Sequence, residues 1–468
     1  MKTSLLALIR SAAPPVFALL GSFVFIPLGV FVPLRVFVFL GVFVFLVVFG
    51  AAAGLAGQEN EPIVYDVEGV RVIQLTLPDR ELVSARLYLL GGARQLTPRT
   101  AGIERLILVG SGRGTAGFRG DALREAQVST GGDFFVTTEP DWSVMGFTGL
   151  AEEFDRSWAI LADRVMRPTL DSAAVEIVRN QALTSVRAAN EGPDAAVRLL
   201  AERLAFDGHP YAADVEGTEE SLAALRVGDL RLYHEQQFVR SRMLLSVVGA
   251  VDRSTVESAL RSTLANLPMG SYAWEMPERW TKSEPDLVIE DRLLPTNYIL
   301  GYFGGPTSAD EGYPAFQVAV SALSGLISSG IRARGLSYSA GVRVVDRAAA
   351  GGGIYVSTID PDEAMEIINE AVEFLKQGTI PRSALRDYAE GSVLSYHLAN
   401  QTTSQQAEFL ASSLLLGGRP QSVADWVEDL RGVTGNDLRR GIREYVRNIQ
   451  YAYLGNPRLV PRERMLEH

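Results

Sequence analysis

The 468-residue chain is predicted to be an α+β protein of two duplicated domains, each a mostly antiparallel sheet with helices packed on one face. Three observations lead there. Strand-like alternation, a Gly-Gly pair and a helical pattern follow one another twice in the same order, as an internal duplication would leave them. A segment rich in proline separates the two copies. The length also exceeds what one hydrophobic core usually serves.

The first 57 residues stand apart from both copies. They are almost wholly apolar and carry only Lys2, Arg10 and Arg35 as charges. From Val36 to Ala56 no charge occurs for 21 residues, enough to cross a bilayer with some tilt. The end of this stretch, Ala51-Ala52-Ala53 followed by Gly54-Leu55-Ala56-Gly57, instead resembles the small-residue zone before a signal-peptidase cut. Both readings, cleaved signal or retained anchor, send the chain from Gln58 onward across the membrane, because every early charge is positive. The expected location is therefore periplasmic or otherwise extracytoplasmic, with the N-terminal segment the only membrane contact.

Composition narrows the classes of function. Removing residues 1–57 takes away three positive charges and no negative one, so the formal net charge goes from −11 to −14. Such a body repels nucleic-acid phosphates and tolerates basic peptides. With no cysteine, disulfides, thiol catalysis and Cys-based metal sites are excluded. Four histidines remain: His209, His234, His397 and His468.

The first copy, residues 58–267, opens with the alternating runs Val70 to Leu75 and Ser84 to Leu90, then Gly91-Gly92, a polar turn through Pro98, and a helical pattern from Ala101. Residues 268–285, with Pro268, Pro277, Pro285 and two tryptophans, read as the linker. The second copy, residues 286–468, repeats the order with Asp286 to Ile289, Tyr298 to Phe303, Gly304-Gly305 and a helix from Tyr313. From Pro361 to Gln377, Ala364, Ile367, Ile368, Ala371, Val372 and Leu375 recur at helical spacing, with Asp360 as N-cap and Gly378 as stop. Gly351-Gly352-Gly353 lacks the Lys-Ser/Thr of a phosphate loop and is expected to be a turn before the strand Ile354 to Val356.

Several strings resemble the insulinase/pitrilysin family of zinc peptidases, in its processing-peptidase-like branch. They are Thr100-Ala101-Gly102-Ile103 running to Arg113-Gly114-Thr115; Gly131-Gly132 with Thr137 and Asp141; Gly208-His209-Pro210-Tyr211 with Gly217-Thr218-Glu219-Glu220-Ser221; Val247 to Asp252; and Ile331 to Tyr338. Their order and spacing span nearly the whole length after Gln58. Active members carry H-x-x-E-H on a helix and a further Glu on a second helix. The two His, one turn apart, hold zinc, and the intervening Glu activates the metal-bound water. Aligned on Gly102 and Gly114-Thr115, this chain has Arg105, Leu108 and Val109 there, and Thr184 or Ser185 near the distal position.

Arginine is a fixed cation, while leucine and valine have no donor atoms, so the resemblance implies a zinc-less subunit with no cofactor of its own. His234-Glu235 begins like the motif, but Phe238 stands where the second His belongs. His209 sits in a loop string of structural character. In the strand that pairs with substrate in this family, Phe135-Val136 replaces Asn-Ala.

The second copy points the other way. In active members an Arg and a Tyr of the C-terminal domain reach the zinc site and steady the oxyanion, a role suited to a cation and a phenol. Arg332 and Tyr338 match them, one residue closer together than usual, so Arg334 is an alternative for the arginine. The resemblance therefore implies a clamshell-type chamber formed by the two domains, and a subunit that lends this pair and half of that peptide chamber to a zinc-bearing homologous partner in a heterodimer. The expected substrate is a peptide or unfolded protein, held partly by strand addition at a sheet edge. The alternative is a peptide-binding or structural assembly protein derived from the same fold, with no role in proteolysis.

Overall fold

The computed structural model describes residues 61–277, 279–337, 339–420 and 423–468. The apolar N-terminal segment and Tyr338 lie outside the described residues.

Two sheets carry the architecture. The first has six strands in the order β1-β2-β6-β3-β5-β4, namely β1 (Ile63–Val67), β2 (Val70–Thr76), β3 (Leu82–Leu90), β4 (Asp133–Thr138), β5 (Trp142–Leu150) and β6 (Met243–Gly249). The second has five in the order β7-β11-β8-β10-β9: β7 (Asp286–Asp291), β8 (Asn297–Gly304), β9 (Ala340–Val345), β10 (Gly351–Thr358) and β11 (Gln450–Gly455). Each is antiparallel except for one parallel pair, β2 with β6 and β7 with β11. In both, the last strand in sequence inserts between the first hairpin-like elements. β6, which holds the string from Val247, is therefore central and fully buried.

On one face, each sheet is covered by its own helices. Ile103–Gly110, Phe154–Met166, Ser172–Glu191 and Arg253–Ser262 bury Leu106, Ile107, Leu161, Val178 and Leu260 against Val72, Ala85, Phe147 and Val247. Tyr313–Ala333, Pro361–Gln377 and Gly435–Tyr445 do the same in the second half, around Ile299, Phe303, Ile354 and Tyr453. The Pro361–Gln377 helix has the Asp360 cap, accepting from the Glu363 amide at 3.1 Å, and ends at Gly378.

The opposite face of each sheet is covered by a helix from the other half, an exchange that periodicity gives no sign of. Thr403–Gly417 lays Ala407, Leu410, Ala411 and Leu414 on Ile73, Tyr88, Val144 and Leu244 of the first sheet. Pro193–Ala205 lays Ala196, Val197, Ala201 and Ala205 near Leu300, Tyr302, Ala452 and Leu454 of the second. The segment between the sheets is pinned as well: Trp274 Nε1 donates to the Leu415 carbonyl at 2.9 Å and Trp280 Nε1 to that of Ala205 at 2.5 Å. The halves are thus clasped by apolar burial from both sides.

The triple glycine differs from its sequence reading. Gly351, Gly352 and Gly353 are not a turn but the first residues of β10, paired with Gly304, Phe303 and Tyr302 of β8. The reason is close approach. A Cβ on Gly351 would meet the Phe303 carbonyl oxygen at 2.1 Å, and one on Gly352 would meet the Phe303 ring at 2.2 Å.

Candidate functional site

The helix Ile103–Gly110 starts beside Gly102, whose φ is 80°. This glycine packs back to back with Gly217, which also has positive φ; a Cβ on Gly102 would lie 2.9 Å from the Gly217 Cα. Two of the strings noted above therefore meet at this point, and the contact brings the loop before Thr218 against the helix.

That contact delivers Glu216 to Arg105. The Arg105 Nε lies 2.7 Å from Glu216 Oε2, and the Thr138 hydroxyl donates to the other carboxylate oxygen. Thr138 ends β4, an edge strand of the first sheet that pairs, among the described residues, with β5 alone. An arginine, an acid and a strand-end hydroxyl thus close on one another at the first of the expected metal positions. Leu108 is buried against Leu87, Leu89, Met145 and Phe238, and Val109 packs half-buried on the same core. Thr184 and Ser185 lie on Ser172–Glu191, where each hydroxyl donates back to the carbonyl four residues earlier, Asn180 at 2.9 Å and Gln181 at 3.0 Å.

The donor set does not fit zinc. One position holds a cation already engaged by a carboxylate, two hold hydrocarbon, and the distal one offers neutral hydroxyls turned to backbone. Among the described residues, no group of three or more His, Asp or Glu side chains is placed to hold a metal. His234 Nε2 lies 2.8 Å from the Val165 carbonyl and its ring packs on Phe238, with burial pushing its pKa below the ordinary imidazole value. His209 caps the turn Pro210–Ala212 by accepting from the Tyr211 amide at 3.2 Å.

Beside the Arg105–Glu216 pair opens a cleft of about 960 Å³. Its walls include Glu139 after β4, Ser185, Glu202, Asp214, Glu216 and, from the second half, Arg347. Arg198 pairs with Glu202 at 3.0 Å, and Arg347 approaches the same carboxylate at 3.6 Å. Burial raises the Glu139 and Asp214 carboxyls above the usual range; Arg347 opposes this at Glu139, and the Glu216 amide opposes it at Asp214. The cleft is acidic and borders an open strand edge.

Behind the cleft, Asp141 ties the halves together. Its Oδ1 accepts from the Tyr211 hydroxyl at 2.5 Å and its Oδ2 from the Ala348 amide at 2.9 Å, while the Ala349 amide donates to Tyr211 at 3.1 Å. Two residues quoted for the resemblance, Asp141 and Tyr211, are therefore fold-holding.

Arg332, at the end of Tyr313–Ala333, is exposed and makes no ion pair among the described residues. Arg334 is held 3.0 Å from Glu363 in the second half. Sequence reasoning missed Glu216, Thr138, Glu139 and Arg347. Thr138 and Glu139 follow each other at the end of β4, Glu216 and Arg347 lie in distant loops, and no local spacing links any of them to Arg105.

Two family models cover most of the described chain. A family model described as Insulinase (Peptidase family M16) matches residues 71–219, and one described as Peptidase M16 inactive domain matches residues 224–404. The chain belongs to the insulinase (peptidase M16) family. It is 22% identical over 382 residues to an uncharacterized zinc protease, YmxG, of Bacillus subtilis, covering 78% of this chain and 90% of that one. It is 25% identical over 212 residues to human cytochrome b-c1 complex subunit 1, 44% of each chain. To the mitochondrial-processing peptidase subunit beta of Lentinula edodes it is 21% identical over 241 residues, 49% of this chain and 51% of that one. A solved protease from Helicobacter pylori shares the fold with a TM-score of 0.77 at 15% identity, over 85% of this chain and 99% of the other.

Proposed function

We propose that this chain is the zinc-less subunit of a two-chain peptidase, exported to the periplasmic side and paired with a zinc-bearing homologue whose peptide chamber it completes. The observation that carries this reading is the Arg105–Glu216 ion pair, set in an otherwise intact peptidase fold whose β4 edge is open. An extended peptide would add to that edge through main-chain hydrogen bonds. The acidic wall of Glu139, Asp214 and Glu216 would favour basic segments. Arg332, exposed and unpaired with any described acid, is better placed than Arg334 to lend a cation to the partner's site, with Tyr338 as the accompanying phenol. Similarity to a processing peptidase subunit supports the pairing.

The test is reconstitution with a zinc-bearing homologue. The purified chain alone should hold no stoichiometric zinc and cleave nothing, while the pair cleaves peptides. Arg332→Ala or Tyr338→Phe should lower the pair's kcat by about 10²-fold, the order lost with one oxyanion donor. Unchanged activity in both variants would instead favour an assembly protein without a part in proteolysis, a reading that similarity to a cytochrome b-c1 complex subunit supports.

A further inference from the structure

The hydrogen bonds around β4 determine which of its main-chain groups face the open edge. The Glu139 amide donates to the Trp142 carbonyl at 2.8 Å, so here the odd-numbered position turns toward β5. Antiparallel pairing alternates, so Asp133, Phe135 and Thr137 do the same, and Phe134, Val136 and Thr138 present their N–H and C=O groups at the edge. The residues flanking β5 have the complementary phase: Asp141 and Ala151 turn to the β3 side, bonding Gly91 at 2.8 Å and Glu81 at 2.9 Å.

One row of side chains crosses the sheet to that edge. Arg86 of β3, Gly146 of β5 and Phe135 of β4 stand in register. Gly146 lets its two neighbours meet above it, since a Cβ there would lie 2.5 Å from the Phe135 ring. The Arg86 guanidinium carbon stands over that ring, 4.8 Å from its centroid. Arg86 is itself fixed by the helix Thr403–Gly417 of the other half, through the Ser404 hydroxyl at 3.0 Å and the Glu408 carboxylate at 3.0 Å. The row therefore ends, beside the open edge, on a braced aromatic side chain that is only half-buried.

From this we infer that Phe135 is a specificity subsite for an apolar side chain of an extended peptide added antiparallel to β4. A guest residue opposite Phe135 makes the non-hydrogen-bonded kind of pair, in which the Cα atoms come within about 4.5 Å and the side chains are closest. Phe134 and Val136 do not serve it, because they turn into the core beneath the helices. Glu139 continues the Phe135 face just past the strand end, where the charge of Glu408 reaches it. In an antiparallel guest the residue that meets Glu139 precedes the apolar one by four, and a lysine there suits the carboxylate. This rests on strand addition at β4, as proposed above, and adds which side chains the edge selects.

The test is fluorescence anisotropy of the full-length chain, in mild detergent, with three labelled and N-acetylated peptides in a frame of threonine and glutamine. The first carries a lysine followed four residues later by phenylalanine, and the second has alanine in place of the phenylalanine. The third brings the phenylalanine one residue closer to the lysine, which sends the two side chains to opposite faces of the strand. The first peptide should bind more tightly than the third, and about fivefold more tightly than the second, the upper range for one aromatic cross-strand pair. Phe135→Ala should cut the preference for the first over the second below about twofold while leaving the alanine peptide's affinity as it was; Phe135→Leu should keep most of it. Equal binding of the first two peptides to the unaltered chain overturns the subsite and leaves strand addition standing. Binding of none overturns both, and a preference that survives Phe135→Ala overturns the role of Phe135.

Discussion

Arg242 donates through Nη2 to Glu104 Oε1 at 2.8 Å, and both side chains are almost completely buried. The same carboxylate accepts from Tyr233 at 2.7 Å and Ser143 at 2.6 Å, while Arg242 Nε donates to the Leu90 carbonyl at 2.8 Å. Glu104 precedes Arg105, so consecutive residues on one helix serve opposite ends: one locks the helix to the sheet, the next faces the cleft. Replacing Glu104 by Gln leaves the Arg242 charge buried without its counter-ion. A loss of about 3–5 kcal/mol is expected, the usual result of breaking a buried pair from one side. Urea unfolding of Glu104→Gln beside the parent chain measures it, and a change below about 1 kcal/mol would show the network to be dispensable.

Tyr211→Phe removes one hydroxyl that serves both Asp141 and the Ala349 amide. Two buried groups lose a partner at once, so a destabilisation of about 1–3 kcal/mol is expected. Because the bonds bridge the two halves, the loss should appear in the main unfolding transition by calorimetry. A separate low-temperature step would contradict the clasp.

Much of this arrangement is legible in the sequence, and the failures have a common cause. The Pro361–Gln377 helix carries its apolar stripe, cap and stop within one contiguous window, so its boundaries agree with the structure. The paired strands and Gly-Gly stops likewise announce the duplication. What the sequence does not announce is which surface each stripe covers. Ala407, Leu410, Ala411 and Leu414 read as an ordinary core face, and only the three-dimensional structure assigns that face to the other half's sheet. The candidate site divides the same way. That Arg105, Leu108 and Val109 offer no metal donor is visible from residue type, whereas Glu216 as the partner of Arg105 depends on the Gly102–Gly217 contact between distant segments.

The triple glycine gives a sharper check of the same principle. Gly352→Ala would place a methyl group 2.2 Å from the Phe303 ring, inside a fully buried pairing of β10 with β8. Overpacking of this kind costs about 1–3 kcal/mol. Gly391→Ala, where a Cβ meets nothing within 4 Å on an exposed helix position, should be neutral or stabilising by up to about 1 kcal/mol. Comparison of the two denaturation midpoints separates a packing requirement from turn flexibility. If Gly352→Ala were as stable as the parent, the close-approach explanation of the glycine run would be wrong.

The last expectation concerns pH. Burial raises the Asp141 carboxyl above its ordinary value of 3.8, opposed in part by the Ala348 amide, the Tyr211 hydroxyl and the nearby Arg94 and Arg347. The folded chain therefore holds this proton more tightly than the unfolded chain does. Its contribution to stability is fully present below the ordinary value and is lost as pH rises through the raised folded value. Asp141→Asn has no such proton. Asp214, which burial also raises, is common to both proteins and cancels. Glu139, raised by burial and in part by the Asp141 charge, is raised less in the variant and shifts the comparison in the same direction. Acidification from about pH 7 toward pH 4 should therefore shift the stability difference between parent and variant in the parent's favour. Urea midpoints of both proteins across that range give the slope. A difference that stays flat, or moves toward the variant, would mean that the Tyr211 and Ala348 hydrogen bonds outweigh burial and that Asp141 is an ordinary, fully charged clasp.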